Sequence, residues 1–361
     1  MRLRGTVAVT AAASIAMAGT AVAAAAPQKW SVTAQTGLPG NENLSDLALT
    51  GARSGWAVGG SWNAATDGPL VYRWDGTGWH LAPVPAQVDV GLSRVAGSSE
   101  ANVWAFGLQI RSDRALKAFR WNGASWRASV VENGDVTLWD ADVLSPSDVW
   151  LAVNGQASAQ PLRHWDGKLW RSVAAPADRV YSMHFTSAKN GWAVGTTVDG
   201  LPRMLRWNGS AWKAAALPQI PVPAGASATL NDVMALSANN VWAVGTVSWL
   251  DGDDEQFRPV VLHWNGSAWR RVATPDYRFD LSNLAPDGSG GFWVKGGVET
   301  LVNYRGGTWT AVPRPTVPET DGVFGRMANV PGTSTMLGVG SVSPWSAPED
   351  DRDDGIFFTA R

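Results

Sequence analysis

The chain has four histidines and no cysteine, so side chains able to act as acid, base or metal ligand are few. His184, with Asp140 and Asp142 at nearby positions of the neighbouring repeat, is the one histidine–carboxylate grouping that could do acid–base work. His164 and His263 recur at a position that Arg73, Arg120 and Arg206 fill elsewhere, and His80 also holds a repeated position; all three read as structural. Carboxylates concentrate in two runs, Asp251, Asp253, Asp254 and Glu255, and Glu349, Asp350, Asp351, Asp353 and Asp354. The second run has Arg352 where a calcium loop needs a ligand and lacks the closing Glu, so no metal is expected. There is no Gly-rich phosphate loop, nucleophile elbow or zinc-spaced His pair, and no cofactor is expected. A glycoside hydrolase or lyase would have to work with these carboxylates alone.

Binding chemistry is better represented. Trp62, Trp249 and Trp345 lie in long loops, Trp139 and Tyr181 at the start of inner strands. Open aromatic faces of this kind stack on sugar rings or anchor a protein. Asp253, Asp254 and Glu255, with Asp350, Asp351 and Asp353, share those loops and would hydrogen-bond hydroxyl or amino groups.

What positions these residues is a repeat. The stretch Leu230 to Thr274 contains four short apolar segments, a to d, separated by turn residues, and six further copies can be laid over it. A period of about 40 to 50 residues with four strands per unit is the signature of propeller blades. Strand a begins twelve residues before the strand-b aromatic in each of the first six copies, for example Leu230 before Trp242. The strand-c aromatic and the strand-d Trp are always five apart, from Trp74 and Trp79 to Tyr304 and Trp309. Asn265-Gly266, Asn122-Gly123, Asn208-Gly209, Asp75-Gly76 and Asp166-Gly167 predict tight c–d hairpins with both central residues at positive φ. The seventh copy ends at strand c, GIFFTAR, while Lys29 to Thr33 reads as a strand d with no blade of its own. The expectation is an all-β chain, a seven-bladed β-propeller of four-stranded antiparallel blades whose last blade is closed by the N-terminal strand, one domain spanning residues 27–361.

Of the 22 tryptophans, 18 fall at the repeated b, c and d positions, where packing between blades accounts for them. Length variation is confined to the b–c side: the distance from strand-b Trp to strand-c aromatic runs 18, 17, 15, 15, 22 and 11 in the first six blades. Since variable loops on a rigid scaffold carry function, the b–c face is the expected binding face. The ligand site is placed near the junction of blades 7 and 1, where Trp345 and Trp62 would stand side by side.

The stretch Trp56 to Pro85, WAVGG…VYRWDGTGWHLAPVP, resembles a kelch repeat, and its WDGTGW turn resembles the Asp-box turn of sialidase-like propellers. The kelch double glycine recurs only at Gly59-Gly60 and Gly296-Gly297, and the Asp-box Ser and Thr are absent. The repeats are most similar to those of secreted bacterial propellers carrying WAVG and RWNGxxW motifs. That resemblance implies the propeller fold and no particular activity.

Residues 1–25 read as a secretory signal peptide: Arg2 and Arg4, an Ala/Val/Ile run, then small residues offering cleavage after Ala23 or Ala25. Removing them takes two of the 29 Lys+Arg and none of the 31 Asp+Glu. An acidic chain without a basic cluster is not expected to bind nucleic acid, and no later apolar run is long enough for a membrane anchor. The expected product is a secreted, extracellular monomer. Its leading function is non-catalytic binding of an extracellular glycan or cell-wall polysaccharide through the b–c face; a protein–protein interaction propeller is the alternative, and a glycoside hydrolase or lyase the third reading.

Overall fold

The computed structural model describes residues 28–38, 40–62, 68–84, 90–109, 114–155, 160–345 and 353–361. Their strands form seven four-stranded antiparallel sheets and no helix. Six sheets use consecutive strands; the seventh has the order first strand, last strand, then the two before it. Strand a lies innermost in each blade and strand d outermost. The N-terminal strand, Trp30–Gln35, pairs antiparallel with the C-terminal strand, Asp354–Ala360, with Trp30 opposite Ala360. This is the expected closure, and it leaves the last blade with no strand missing.

The repeated tryptophans build the contacts between blades. Each strand-b indole packs against the strand-c and strand-d aromatics of the following blade: Trp56 on Trp121 and Trp126, Trp104 on Trp165 and Trp170, Trp150 on Trp207 and Trp212. Trp192 meets Trp264 and Trp269, Trp242 meets Tyr304 and Phe292, which in turn pack on Trp309, and Trp293 meets Trp30 of the closing strand. Ring centroids lie 5.0–5.1 Å apart in the Trp56, Trp192 and Trp242 contacts, within the range of favourable edge and tilted geometries. In blades 1 to 5 the outer face of the strand-b indole is covered from its own strand c by Arg73, Arg120 or Arg206, or by His164 or His263 stacked at 4.2 Å. His164 Nε2 bonds Asp148 at 2.8 Å and His263 Nε2 bonds Asn240 at 2.9 Å, so both are structural groups. Blade 7 has Leu337 at the strand-b position, and there Phe357 stacks on Trp79 at 5.2 Å instead.

Two features differ from the sequence expectation. In blades 1 to 5 the c–d connections are not two-residue hairpins; only blade 6 has one, with Arg305 opposite Thr308 and both Gly306 and Gly307 at positive φ. Trp264 pairs with Trp269, which leaves four residues between them, and Asn265 Oδ1 accepts the backbone N–H of Ser267 and of Ala268. Only the glycine has positive φ, as at Gly266 (96°) and Gly209 (94°). A side-chain oxygen taking two turn donors removes the need for a second left-handed residue. Glycine is required for a further reason: a Cβ at Gly76 would lie 2.7 Å from Arg53, and one at Gly167 2.8 Å from Ser147, both in the facing a–b turn. The strand-c indoles complete the clamp, Trp74 Nε1 donating to Ala52 O at 3.1 Å and Trp207 Nε1 to Ala188 O at 3.0 Å. The two invariant spacings are therefore one structure, since the a–b and c–d turns are bolted together on one face.

Second, the acidic stretch of blade 5 is not a loop. Strand b runs Asn240–Asp251 and strand c Asp254–Trp264, in unbroken register out to Asp251 opposite Asp254. The β-rich run VSWLD facing EQFRP continues the ladder past the propeller body, turning at Gly252 with φ of 68°.

Replacing Trp192, which has no exposed surface, by Ala should cost about 3–5 kcal/mol in chemical denaturation, since cavity and lost transfer terms add. Deleting residues 24–36 should lower the melting temperature sharply or cause aggregation, because it bares the edge of Asp354–Ala360. A truncated chain that melts like the longer one would contradict the closure.

Candidate functional site

On the b–c face, the structure separates the five expected aromatics into one exposed and four packed. Trp345, just beyond strand b of blade 7, is 67% exposed. Trp62 ends strand b of blade 1 and folds back: Cβ atoms built on Gly60 and Gly91 would lie 2.7 and 3.4 Å from its indole. Gly91 belongs to blade 2, so Trp62 leans away from blade 7. The pairing of Trp62 with Trp345 at the junction of blades 7 and 1 is thus not formed; the small glycine surfaces give the indole a bed on the other side. Trp249 packs half-buried against the blade-5 core beneath the Arg258 guanidinium, 5.0 Å from the ring centroid. Trp139 and Tyr181 pack on each other in a T-shape at 5.1 Å, with Tyr181 Oη 3.2 Å from Thr196 Oγ1.

The carboxylates are likewise divided. Asp253, Asp254 and Glu255 stand exposed at the tip of the blade-5 hairpin. Asp353 is engaged in closure: Ser343 Oγ donates to its carboxylate, its carbonyl accepts from Glu42 N at 2.7 Å, and its N–H reaches Asn41 Oδ1 at 3.2 Å. Asp350 and Asp351 lie outside the described residues. Among the described residues no group of three or more His, Asp and Glu is arranged to hold a metal ion.

The densest grouping of charge is on the propeller axis. Strand a bulges near its start in every blade, at Leu44/Asp46, Leu92/Arg94, Leu138/Asp140, Val180/Ser182 and Leu230/Asp232 in the first five and over three residues in the last two. The bulge turns a polar residue inward: Asp46, Arg94, Asp140, Ser182, Asp232, Asn283 and Arg326 form a ring. Each of the first six bonds the following blade. Asp46 accepts from Val95 N at 3.0 Å, Arg94 Nε donates to the Trp139 carbonyl at 2.8 Å, and Asp140 accepts from Met183 N at 2.8 Å. Ser182 Oγ donates to Asp232 at 2.5 Å, Asp232 accepts from Leu284 N at 2.6 Å, and Asn283 donates to Gly325 O at 2.7 Å. Arg326 instead reaches across the axis, 3.7 Å from Asp140.

Burial pushes the Asp46 and Asp140 carboxyls above the usual carboxylate range, with Arg326 and Arg94 pulling the other way. Burial pulls the pKa of Arg94 below the usual guanidinium range, whereas Arg326 is buried yet held up by Asp140, Asp232 and Asp46. Beyond the ring, a cavity of about 270 Å³ opens along the axis. Its lining extends to Leu49, Pro286 and Asn329 at the far ends of strand a, so its mouth is on the a–b face, opposite the variable loops. His184 and Asp142 do meet there, with Asp142 Oδ2 accepting from Phe185 N at 2.9 Å and its carboxyl raised first by burial, less the effect of His184. Asp46, Arg94, Asp232 and Arg326 went unnoticed in the sequence. The available signal was a column in which each of the first six copies is polar two residues after the start of strand a, with Arg326 one residue after it in the seventh.

No protein-family model matches this chain, and neither does any curated protein. Solved structures do. YCF48 bound to a D1 peptide is 16% identical with a TM-score of 0.57, covering 92% of this chain and 96% of that one. YCF48 from Cyanidioschyzon merolae is 14% identical, TM-score 0.56, covering 92% and 98%. A GH74 xyloglucanase from Xanthomonas campestris is 13% identical, TM-score 0.57, with 91% of this chain matching 55% of that chain. The likeness establishes the propeller fold.

The axial carboxyls make a pH prediction. A folded-state pKa above the unfolded one means the native state binds more protons in that window, so stability rises as pH falls through it. Relative to Asp140→Asn, which cannot titrate, the wild type should therefore gain stability as pH falls from neutrality toward the ordinary carboxylate range, measured by urea denaturation of both. A gain in the opposite direction would mean the arginines outweigh burial.

Proposed function

We propose that this chain is a secreted binding propeller that holds a protein or peptide partner on its b–c face. The observation that carries this reading is the placement of exposed apolar side chains. Val198 (83% exposed), Leu250 (71%), Val298 (69%), Val323 (60%) and Leu201 (55%) all stand at the b–c end of blades 4 to 7, together with Trp345. A groove of about 360 Å³ between blades 4 and 5 adds Leu217, Pro218, Ile220 and Val222. Aliphatic side chains offer no stacking face to a sugar, but they are what a partner polypeptide buries. The blade-5 hairpin, with Leu250 and its acidic tip, forms a wall beside this groove. A structural neighbour that binds a peptide, YCF48 with D1, supports the reading.

Glycan binding remains the second reading, favoured by the exposed indole of Trp345 and by a xyloglucanase among the neighbours. One pair of measurements separates them. Peptides selected from a displayed random library against the wild-type protein should lose binding to Leu201→Glu and Leu250→Glu, yet keep binding to Leu81→Glu on an outer strand. Retention on insoluble chitin, cellulose or peptidoglycan that disappears in Trp345→Ala, with no peptide selected, would replace the protein reading by the glycan one.

A further inference from the structure

The axial cavity lies on the face that the reading above does not use. Five charged or titratable groups line it, Asp140, Asp142, His184, Asp232 and Arg326, between apolar walls that include Met234 and Met327. Their hydrogen-bond capacity is unevenly spent. Asp232 has both oxygens engaged, one by Leu284 N and one by Ser182 Oγ and Val233 N. Asp140, only 8% exposed, uses Oδ2 on Met183 N. Its Oδ1 receives no hydrogen bond; the nearest cation, Arg326 Nη2, stands 3.7 Å away, beyond hydrogen-bonding distance. That oxygen belongs to a residue lining the cavity and is held only by the longer ion pair to Arg326, so it can still accept a hydrogen bond from a bound group.

Charge decides what completes it. Three carboxylates line the cavity against one guanidinium, and that guanidinium is shared among Asp140, Asp232 and Asp46. An anion reaching Arg326 would have to sit among them, whereas a cation would meet the open Oδ1 of Asp140 with the Asp142 carboxyl beside it. The walls refine the choice, because methionine and alanine surfaces suit methylene groups, and a volume of about 270 Å³ admits a side-chain-sized group. The geometry points to the axial cavity as a binding site for a primary alkylammonium group entering from the a–b face, its three N–H donors directed at Asp140 and Asp142 and its methylenes against Met234 and Met327.

The same chemistry can come from a lysine side chain, a linear diamine or an amino sugar. Calorimetric titration of the mature protein with Nα-acetyl-lysine methylamide, cadaverine and glucosamine distinguishes these sources by which saturates at lowest concentration. Pentanol and inorganic phosphate serve as neutral and anionic probes and should give no saturation. Asp142→Asn should weaken the amine by about tenfold or more, the scale of one lost charge-assisted contact. Ala328→Lys, which brings an ammonium into the cavity from the blade-7 strand, should abolish amine binding and raise the melting temperature. The proposal is overturned if no amine saturates, if phosphate binds in its place, or if both variants, folded by their melting curves, take up amine like the wild type.

Discussion

The ring stands on a contact that each blade makes with the next, a strand-b indole wedged against the strand-c and strand-d aromatics of its neighbour. A single four-stranded sheet cannot bury both faces, so it is stable only between two others. The repeated Trp positions make this mutual: one indole serves its own blade's core, lies beneath an Arg or His from strand c, and seals the next junction. Large aromatics bury about 150–250 Å² each, which gives a disulfide-free chain its cohesion. The rigid turns of the a–b face follow from the same residues, because the strand-c indoles that receive the wedge also donate to the a–b turn carbonyls.

Toward the axis the junctions change character. There the blades are joined by polar latches, in which a residue turned inward by a bulge takes up a backbone group exposed in the next blade. Burying five charges in one ring is costly by itself, and the ion pairs offset that cost only in part; the raised carboxyls of Asp46 and Asp140 record the balance. The latches do give direction and register to the closing ring. The two faces consequently differ in kind: the b–c face varies in length and exposes aliphatic side chains, while the a–b face is fixed and opens into a charged cavity.

Much of this was legible in the residues. Trp and turn positions recur with constant spacing, so blade number, strand order and closure by Trp30–Gln35 could be read directly, since repetition averages away local ambiguity. The axial ring was harder to read because its seven members share polarity but not identity; Asp46, Arg94 and Asn283 look unrelated until a bulge brings them to one radius. The packed state of Trp62 and Trp249 depends on Gly91 and Arg258, partners that no repeat position announces. The extended blade-5 hairpin was misjudged for a different reason: its acidic composition suggests a solvated loop, yet cross-strand register continued from the body overrides that preference. The c–d turn, by contrast, was decidable, because five residues from Trp to Trp leaves room for four between a pair in register.

Closure of the last blade has a consequence for the order of events during folding. Ser31 and Thr359, bonded in the finished sheet, stand 328 positions apart. Ribosomal synthesis delivers the first strand early, and its docking place only when nearly everything else has been made. Throughout that interval the outer strand has no sheet to join, and each completed blade shows its aromatic flank to solvent until the next arrives. The entropy of bringing such distant segments together grows slowly with separation, but contacts this non-local come late and slowly. Before that pairing forms, the chain has two unjoined blade edges, and these are the places where one copy could mistake another for itself.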